Sequence, residues 1–317
     1  MKAQLLITAT FLTALAGALP AADPTLLNLV DPGAKVLAGV NVQQAKGTLF
    51  GQYVLNQIQS SNTEMQQLIA LTGFDPTRDV TEILVASTGA PETGLALALG
   101  SFDAAKITAA ASLKGAVSEA YSGVTILEDP KQTHGVAFLG STTAVAGDVA
   151  SVKGAIDRQK NAQPLTSSVL VKINELSASQ DAWALTTVPP SSLAPPAAAP
   201  HNGQIPPAFQ SVQSASGGVK FGANVVFTGQ AQTDTAQNAT TLGDMVKLLI
   251  SLAQMNASQS PQAAQLAQQV QVTASGNVVT VSLSLPEDQF QQLVKIGQNG
   301  GAMKSSPRRA IRESPRK

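Results

Sequence analysis

Apolar residues alternate with small or polar ones in several short runs of the chain, a pattern that predicts strands. In the first third, strands are predicted at Val36 to Val42, Val80 to Ser87 and Leu95 to Ser101. Between the first two, apolar residues three or four positions apart predict helices from Leu49 to Ile58 and from Thr63 to Leu71. The chain therefore begins with the order strand, helix, two strands.

The next stretch continues with a helix and further strands. Asp103 is a predicted N-cap, because a short acidic side chain accepts hydrogen bonds from the free N–H groups of a first helical turn. The elements that follow it are a helix from Ala104 to Leu113, strands at Val117 to Leu127, Gly135 to Leu139 and Ala144 to Gly147, and a helix from Val149 to about Arg158.

The same order of elements recurs after residue 180. The predicted elements are a strand at Ala182 to Val188, a hairpin of Val212 to Phe221 with Ala223 to Gly229, a helix from Asp234 to Ala253, a hairpin of Val270 to Ala274 with Asn277 to Leu285, and a last helix from near Pro286 that carries Phe290, Leu293 and Val294 inward. We expect an α+β fold of two related halves, 30–165 and 175–298, each an antiparallel sheet covered by helices. The halves share an order of elements and little residue identity, so an accidental match is the alternative.

A proline-rich segment, 189–207, follows the first strand of the second half. It holds seven prolines, and a helix cannot cross it. Two interpretations remain open: a flexible loop on the second half, or a spacer between two separate domains.

The first 21 residues are typical of a secretory signal peptide. Lys2 supplies the positive start, Leu5 to Leu15 is a short apolar run, and small residues favour cleavage after Ala21, with Ala18 as the other site. The alternative is an uncleaved N-terminal anchor. From the signal peptide we expect an exported protein, periplasmic or secreted. The apolar stretch Met245 to Ala253 is too short to span a bilayer, so we expect no transmembrane segment in the mature form.

Composition excludes several kinds of chemistry. The chain has no cysteine, which removes thiol nucleophiles, cysteine-ligated metals and a lipid anchor on cysteine. Aromatic residues make up 4%, too few for the stacking platforms that bind sugars or single-stranded nucleic acid. We expect no nucleic-acid partner and no cofactor.

Charge is distributed unevenly along the chain. Residues 22–303 hold 13 Lys and Arg against 19 Asp and Glu, a net charge of −6, whereas residues 304–317 carry a net charge of +5. Residues 299–317 are a predicted disordered tail. Six basic residues of this tail could bind an anionic surface, and a solvated end without a partner is the alternative: Lys304, Arg308, Arg309, Arg312, Arg316 and Lys317.

Acidic residues and histidines are the remaining candidates for catalysis. Asp75 before Pro76 predicts a helix cap and Asp79 the entry to a strand, so a catalytic role needs a second group converging on them. His134 follows Glu128 and Asp129 in a predicted turn. A metal or hydrolase site there is conceivable, but a solvated turn is the favoured interpretation. His201 lies in the proline-rich segment. No GxSxG, HExxH or phosphate-binding loop is present, so we assign no catalytic, cofactor-binding or metal residues.

Four segments carry a resemblance to known proteins. They are the signal peptide, Gly73 to Val80, Gly100 to Asp103, and Thr143 to Asp157. On these the chain resembles a family of exported bacterial proteins of unknown function, which implies an envelope location and no catalytic residues. It is also similar, at the level of fold only, to periplasmic carriers of lipids and lipoproteins.

Three hypotheses of function follow. The first is a non-enzymatic binding or scaffolding protein of the cell envelope. The second is a periplasmic carrier of a lipid or other hydrophobic ligand, with the helices at Leu49 to Ile58 and Met245 to Leu252 lining a cavity. The third is a hydrolase with a carboxylate site that no motif reveals.

Overall fold

A computed structural model describes residues 22–291, with gaps at 50, 54, 56–62, 91, 194–206 and 256–260. The signal peptide, the basic tail, most of the proline-rich segment with His201, and part of the helix predicted at Leu49 to Ile58 lie outside the described residues.

Twelve strands are present in the described part of the chain, and most of them match the runs predicted from alternation. They are β1 (Val36–Asn41), β2 (Val80–Ser87), β3 (Leu95–Gly100), β4 (Val117–Tyr121), β5 (Val124–Glu128), β6 (His134–Leu139), β7 (Thr143–Asp148), β8 (Ala182–Thr186), β9 (Val212–Lys220), β10 (Asn224–Thr233), β11 (Val270–Ser275) and β12 (Val278–Pro286).

The helices vary more in length than the strands. They are α1 (Pro24–Leu27), α2 (Val42–Lys46), α3 (Thr63–Thr72), α4 (Pro76–Asp79), α5 (Ala104–Leu113), α6 (Val149–Lys160), α7 (Ser167–Ser179), α8 (Pro207–Gln210), α9 (Ala236–Met255) and α10 (Pro261–Gln269), with a 3-10 turn at Pro190–Ser192. Side-chain caps define several starts, as at Asp103, which accepts from the N–H of Lys106.

All twelve strands belong to one antiparallel sheet. Its order is β11-β12-β10-β9-β8-β1-β2-β3-β7-β6-β5-β4. Strand β8 pairs with β1, with Trp183 opposite Gly39. The fold is therefore α+β, and strands from both ends of the chain join in a continuous sheet. The sequence prediction of two related halves stays a prediction.

One face of the sheet, called the front face, carries the largest core. Leu37, Leu84, Leu97 and Val145 lie along its centre and are fully buried. Helices α1, α6 and α7 cover this face with residues such as Ile173. The apolar front face ends at β8, and the strands beyond it present polar residues on the same side.

The opposite face, called the back face, carries two smaller cores. Around β2, Val80 and Phe102 pack with Val42 of α2 and with Phe74. At the other end of the sheet, Val279 of β12 packs with Leu242 of α9. Helices therefore lie on both faces at the centre of the sheet and on the back face at the β11 end.

One sequence prediction needs correction, and one helix was not predicted. The strand predicted at Val117 to Leu127 is the hairpin of β4 and β5, which turns at Ser122 and Gly123 with positive φ at both residues. Helix α7 was not predicted, and it spans 167–179, across the interval left between the two halves. The register of a hairpin depends on contacts between strands that periodicity along one strand does not contain.

Candidate functional site

A groove of about 380 Å³ opens on the front face beside α7. Its floor is formed by β8, β9 and β10, and α7 forms one wall. The residues that line it are Ser168, Val169, Val171, Lys172, Glu175, Leu185, Thr186, Thr187, Ser214, Ala215, Ser216, Gln230, Gln232 and Val278.

Strand pairing explains the polar floor of the groove. Ser216 lies opposite Gln230, and Ser214 lies opposite Gln232, so four polar side chains share the front face of β9 and β10. The next residue on β10, Ala231, packs into the core of the back face. Alternation along these strands therefore places amide and hydroxyl groups in the groove and apolar groups behind it.

Spacing along α7 explains the wall. Ser168, Val171, Lys172 and Glu175 recur at three- and four-residue intervals, so they share one side of the helix. Ile173 and Leu176, on the neighbouring side, are buried in the front-face core. One stripe of the helix holds it on the sheet while another borders the groove.

Lys172 connects the wall to the floor. Its ammonium group donates to the Oε1 atom of Gln230 at 2.7 Å and to the Oε2 atom of Glu175 at 3.1 Å. Lys172 and Glu175 are the charged residues that line the groove, and they offset each other. The groove therefore offers neutral donors and acceptors with an apolar base at Leu185.

Asp75 and Asp79 hold the short helix α4 in place. Asp75 is the N-cap and accepts from the N–H of Thr77 at 2.9 Å. Asp79 accepts from the N–H of Asp75 at 2.9 Å and from the Nε of Arg78 at 2.6 Å. The hydrogen bond from Arg78 lowers the pKa of Asp79, which therefore stays ionised and is poorly suited to accept a proton near neutral pH.

His134 and Asp129 form a turn before β6. Asp129 accepts from the backbone N–H groups of Thr133 at 2.7 Å and of His134 at 3.1 Å, and these bonds lower its pKa. The Nδ1 of His134 lies 3.0 Å from the hydroxyl of Thr133. Glu128 is buried, and its carboxyl group is paired with that of Glu119. Asp129 and His134 therefore share Thr133 within the turn, whereas Glu128 has Glu119 as its partner.

The pair of Glu119 and Glu128 was missed in the sequence. Glu119 lies opposite Ile126, and Val117 lies opposite Glu128, so the two carboxyl groups are diagonal neighbours on the front face. Lys153 of α6 donates to Glu119 at 2.8 Å. The hydrogen bond with Glu119, followed by burial, raises the pKa of Glu128, while the hydrogen bond from Lys153 lowers that of Glu119.

The described residues contain neither a metal-binding cluster nor a membrane-spanning helix. No three of their His, Asp and Glu side chains are grouped in a way that could hold a metal ion. Among the described helices, none is both long enough and apolar enough to cross a membrane.

Comparisons with known proteins identify a fold. No family model and no curated protein matches the sequence. Crystal form III of the protein TP0453 matches with a TM-score of 0.56 and 12% identity, over 87% of this chain and 99% of that one. Crystal form I of TP0453 matches with a TM-score of 0.50 and 11% identity, over 88% of this chain and 98% of that one. At such low identity the likeness shows the fold alone, which the matched part of this chain shares with TP0453.

Proposed function

We propose that this chain is an exported, non-enzymatic binding protein of the cell envelope that holds an uncharged polar ligand in the groove beside α7. The groove carries the proposal because its hydroxyl and amide groups converge on one space while its two charges offset each other. A site of this chemistry recognises neutral hydroxyl or amide groups through hydrogen bonds. The capping and turn roles of Asp75, Asp79 and Asp129 support binding over catalysis.

The experiment is a binding titration with a panel of neutral oligosaccharides and short uncharged peptides. The Lys172→Met variant removes the donor between wall and floor, and we expect it to weaken binding about tenfold, the effect of one hydrogen bond. Lys247→Met is the matched control, because Lys247 forms a similar i,i+3 ion pair with Asp244 outside the groove. Equal affinity in both variants would place the ligand elsewhere.

A test of the non-enzymatic part uses the same panel. If the wild-type protein hydrolyses any of these ligands, and Asp75→Asn, Asp79→Asn or His134→Gln abolishes the hydrolysis with the fold intact, the protein is a hydrolase and the non-enzymatic proposal is wrong. Asp79→Asn also removes a structural hydrogen bond, so circular dichroism must accompany the assay.

A carrier of a hydrophobic ligand is the second candidate, because an apolar groove lies between α3 and α5. This groove, of about 320 Å³, is lined by Leu71, Ile107, Ala110, Ala111, Lys114, Ala116 and Pro130. Two helices were expected to line a cavity for such a ligand. The one at Leu49 to Ile58 lies partly outside the described residues, and the one at Met245 to Leu252 lies away from this groove, with Leu248, Leu249 and Leu252 exposed. Denaturing mass spectrometry of protein from its native host tests for a bound lipid, and consistently empty protein excludes a carrier.

Three further parts of the proposal rest on the sequence. Residues 1–21 direct export, as in the exported family that the chain resembles. The basic tail binds an anionic surface. The two halves, 30–165 and 175–298, are related units, and a shared arrangement supports this. In the first half, α5 follows the hairpin β2-β3, and a later strand, β7, pairs with β3. In the second half, α9 follows the hairpin β9-β10, and a later strand, β12, pairs with β10.

A further inference from the structure

Among the described residues, no strand pairs with the outer side of β11. Strand β11 pairs with β12 on its inner side and stands at the end of the strand order. Its register with β12 is regular from Val270 to Ser275. The backbone groups on its outer side thus form a straight edge to which another strand can be added.

Strand β11 lacks the features that usually prevent an edge strand from pairing with a strand of another molecule. Such strands are usually protected by a charged side chain, a proline or a bulge, and β11 (VQVTAS) contains none of these. The outer strand at the other end of the sheet, β4, carries Glu119, which is ion-paired with Lys153. One edge of the sheet is therefore protected by charge and the other is not.

The absence of charge extends beyond the strand. Between Lys247 and Glu287 the sequence contains no Asp, Glu, Lys or Arg, although 13% of the chain is charged. This segment provides the second half of α9 and all of α10, β11 and β12. Charged residues are depleted at the centres of protein interfaces, and the lack of charge in this segment is compatible with such a contact.

The helix that packs on β11 also exposes apolar side chains. Gly243 of α9 approaches Ala274 and Val272, which places the middle of the helix on the back of this strand. Further along α9, four apolar side chains recur at three- and four-residue intervals with exposed fractions of 45–80%: Leu248, Leu249, Leu252 and Met255. A stripe of this kind marks a contact surface.

We propose that two copies of this chain pair edge to edge through β11, antiparallel and about a two-fold axis at Thr273. An axis perpendicular to the sheet keeps each face continuous across the two copies. Thr273 then lies opposite its symmetry mate, and Gln271 lies opposite Ser275 on the front face. Strand β11 already places Thr273 opposite Thr280 and Gln271 opposite Ser282 in its pairing with β12, so similar side-chain pairs recur on its outer side.

Strand pairing over six residues buries little area, because a stable interface buries about 800 Å² on each partner. The exposed stripe of α9 supplies the apolar area that the strands lack. We therefore expect a reversible dimer with a dissociation constant in the micromolar range, independent of whatever ligand the groove holds.

The experiment uses the mature chain in sedimentation velocity across the micromolar range. We expect wild-type protein to associate as concentration rises and Thr273→Lys to raise the dissociation constant at least tenfold, because it places two ammonium groups opposite each other. Ser118→Lys is the matched control: it changes an exposed hydroxyl residue on the opposite edge strand and should leave the dimer intact. Circular dichroism checks that both variants fold.

A cross-linking arm tests the register. The chain has no cysteine, so Thr273→Cys introduces a single thiol. Directly opposed residues of antiparallel strands have Cα atoms about 4.5–5.5 Å apart, within disulfide range. We expect Thr273→Cys to form a covalent dimer on mild oxidation and Ser118→Cys to remain monomeric.

Two results would overturn the proposal. One is a wild-type chain that stays monomeric up to the highest concentration. The other is association that Thr273→Lys leaves unchanged and Leu252→Glu abolishes, which would assign the apolar stripe to another contact. A monomer that binds neutral vesicles through Leu252 would point to a lipid surface and would likewise reject the dimer.

Discussion

Glu128 of β5 and Glu119 of β4 are diagonal neighbours on the front face of the sheet, so their carboxyl groups lie close together. Glu128 is 4% exposed, and its Oε1 atom has no hydrogen-bond partner. Since two carboxylates cannot remain adjacent without a shared proton, Glu128 stays protonated to a higher pH than an ordinary glutamate. The outer hairpin therefore contains a group whose charge opposes folding.

This pair predicts a stability that declines as pH rises. The pKa of Glu128 is raised in the folded state, so the native protein binds more protons than the unfolded chain once pH exceeds the ordinary glutamate value. The contribution of Glu128 to the free energy of unfolding is complete below that pH. It is lost as pH rises from the ordinary glutamate pKa to the raised one, by at most about 1.4 kcal/mol per pH unit. The lowered pKa of Glu119 acts in a separate window, where stability is lost as pH falls below the ordinary value.

The Glu128→Gln variant tests this effect, because glutamine stays neutral and can still donate to Glu119. We expect its free energy of unfolding to exceed that of the wild type increasingly as pH rises, as measured by urea denaturation across the pH range. Glu92→Gln, at an exposed position of the β2–β3 turn, is the control. Parallel pH profiles for wild type and Glu128→Gln would show that the pair shares no proton.

Replacing the buried Asp181 should cause a large loss of stability. It is fully buried at the start of β8, and it accepts from the Nζ of Lys220 at 2.8 Å and from the N–H of Phe221 at 2.6 Å. Asp181→Ala leaves both donors without this acceptor and should cost about 2–4 kcal/mol in free energy of unfolding. Lys106→Met, at an exposed ion pair, is the control, and it should change the free energy of unfolding much less because solvent screens that pair. Equal losses in the two variants would contradict this assignment.

A side chain at Gly39 should disturb the packing of Trp183, which lies opposite it in the β1–β8 strand pair. A Cβ atom on Gly39 would lie 2.5 Å from the Cε2 atom of Trp183, which is nearly buried. Gly39→Ala must displace the indole ring and should cost about 1–3 kcal/mol. Trp183 is the only tryptophan in the sequence, so its fluorescence reports the displacement directly. Gly229→Ala, where a Cβ atom meets nothing within 4 Å, is the matched strand glycine and should leave the emission unchanged.

The basic tail predicts adhesion that depends on salt. Each Lys or Arg near an anionic membrane contributes about 1 kcal/mol, and this attraction is screened within a Debye length. Deleting residues 304–317 should weaken binding to vesicles that contain anionic lipid and leave the melting temperature unchanged. Vesicle co-sedimentation at low and high salt is the measurement. Binding that is equal with and without the tail would reject the adhesion.

Most elements of the fold could be predicted along the chain, because the alternation of a strand and the cap of a helix depend on near neighbours. Strands β2, β3, β9 and β10 appear where the pattern places them, and Asp75 and Asp103 cap helices. Helix α7 escaped prediction, although Val169, Ile173 and Leu176 carry helical spacing. The helix spans the interval 166–174 that was left between the two predicted halves.

The candidate site could not be predicted, because it depends on residues that are far apart in sequence. Lys172 and Gln230 are 58 positions apart and meet only after α7 packs on β8 and the β9–β10 hairpin takes its place in the sheet. Glu119 and Glu128 meet through a turn at Ser122 and Gly123 that sets the register of their hairpin.

The sequence by itself determined the mixture of strands and helices, the absence of thiol chemistry, the uneven charge of body and tail, and the uncharged stretch before Glu287. Those properties follow from composition and from contacts between near neighbours. Only the tertiary structure decided that β8 pairs with β1 in one sheet, that a polar groove lies on its front face, and that β11, within the uncharged stretch, is the end strand of the described sheet. Each of these depends on which distant strands pair, and the free energy of that choice resides in contacts across the sheet.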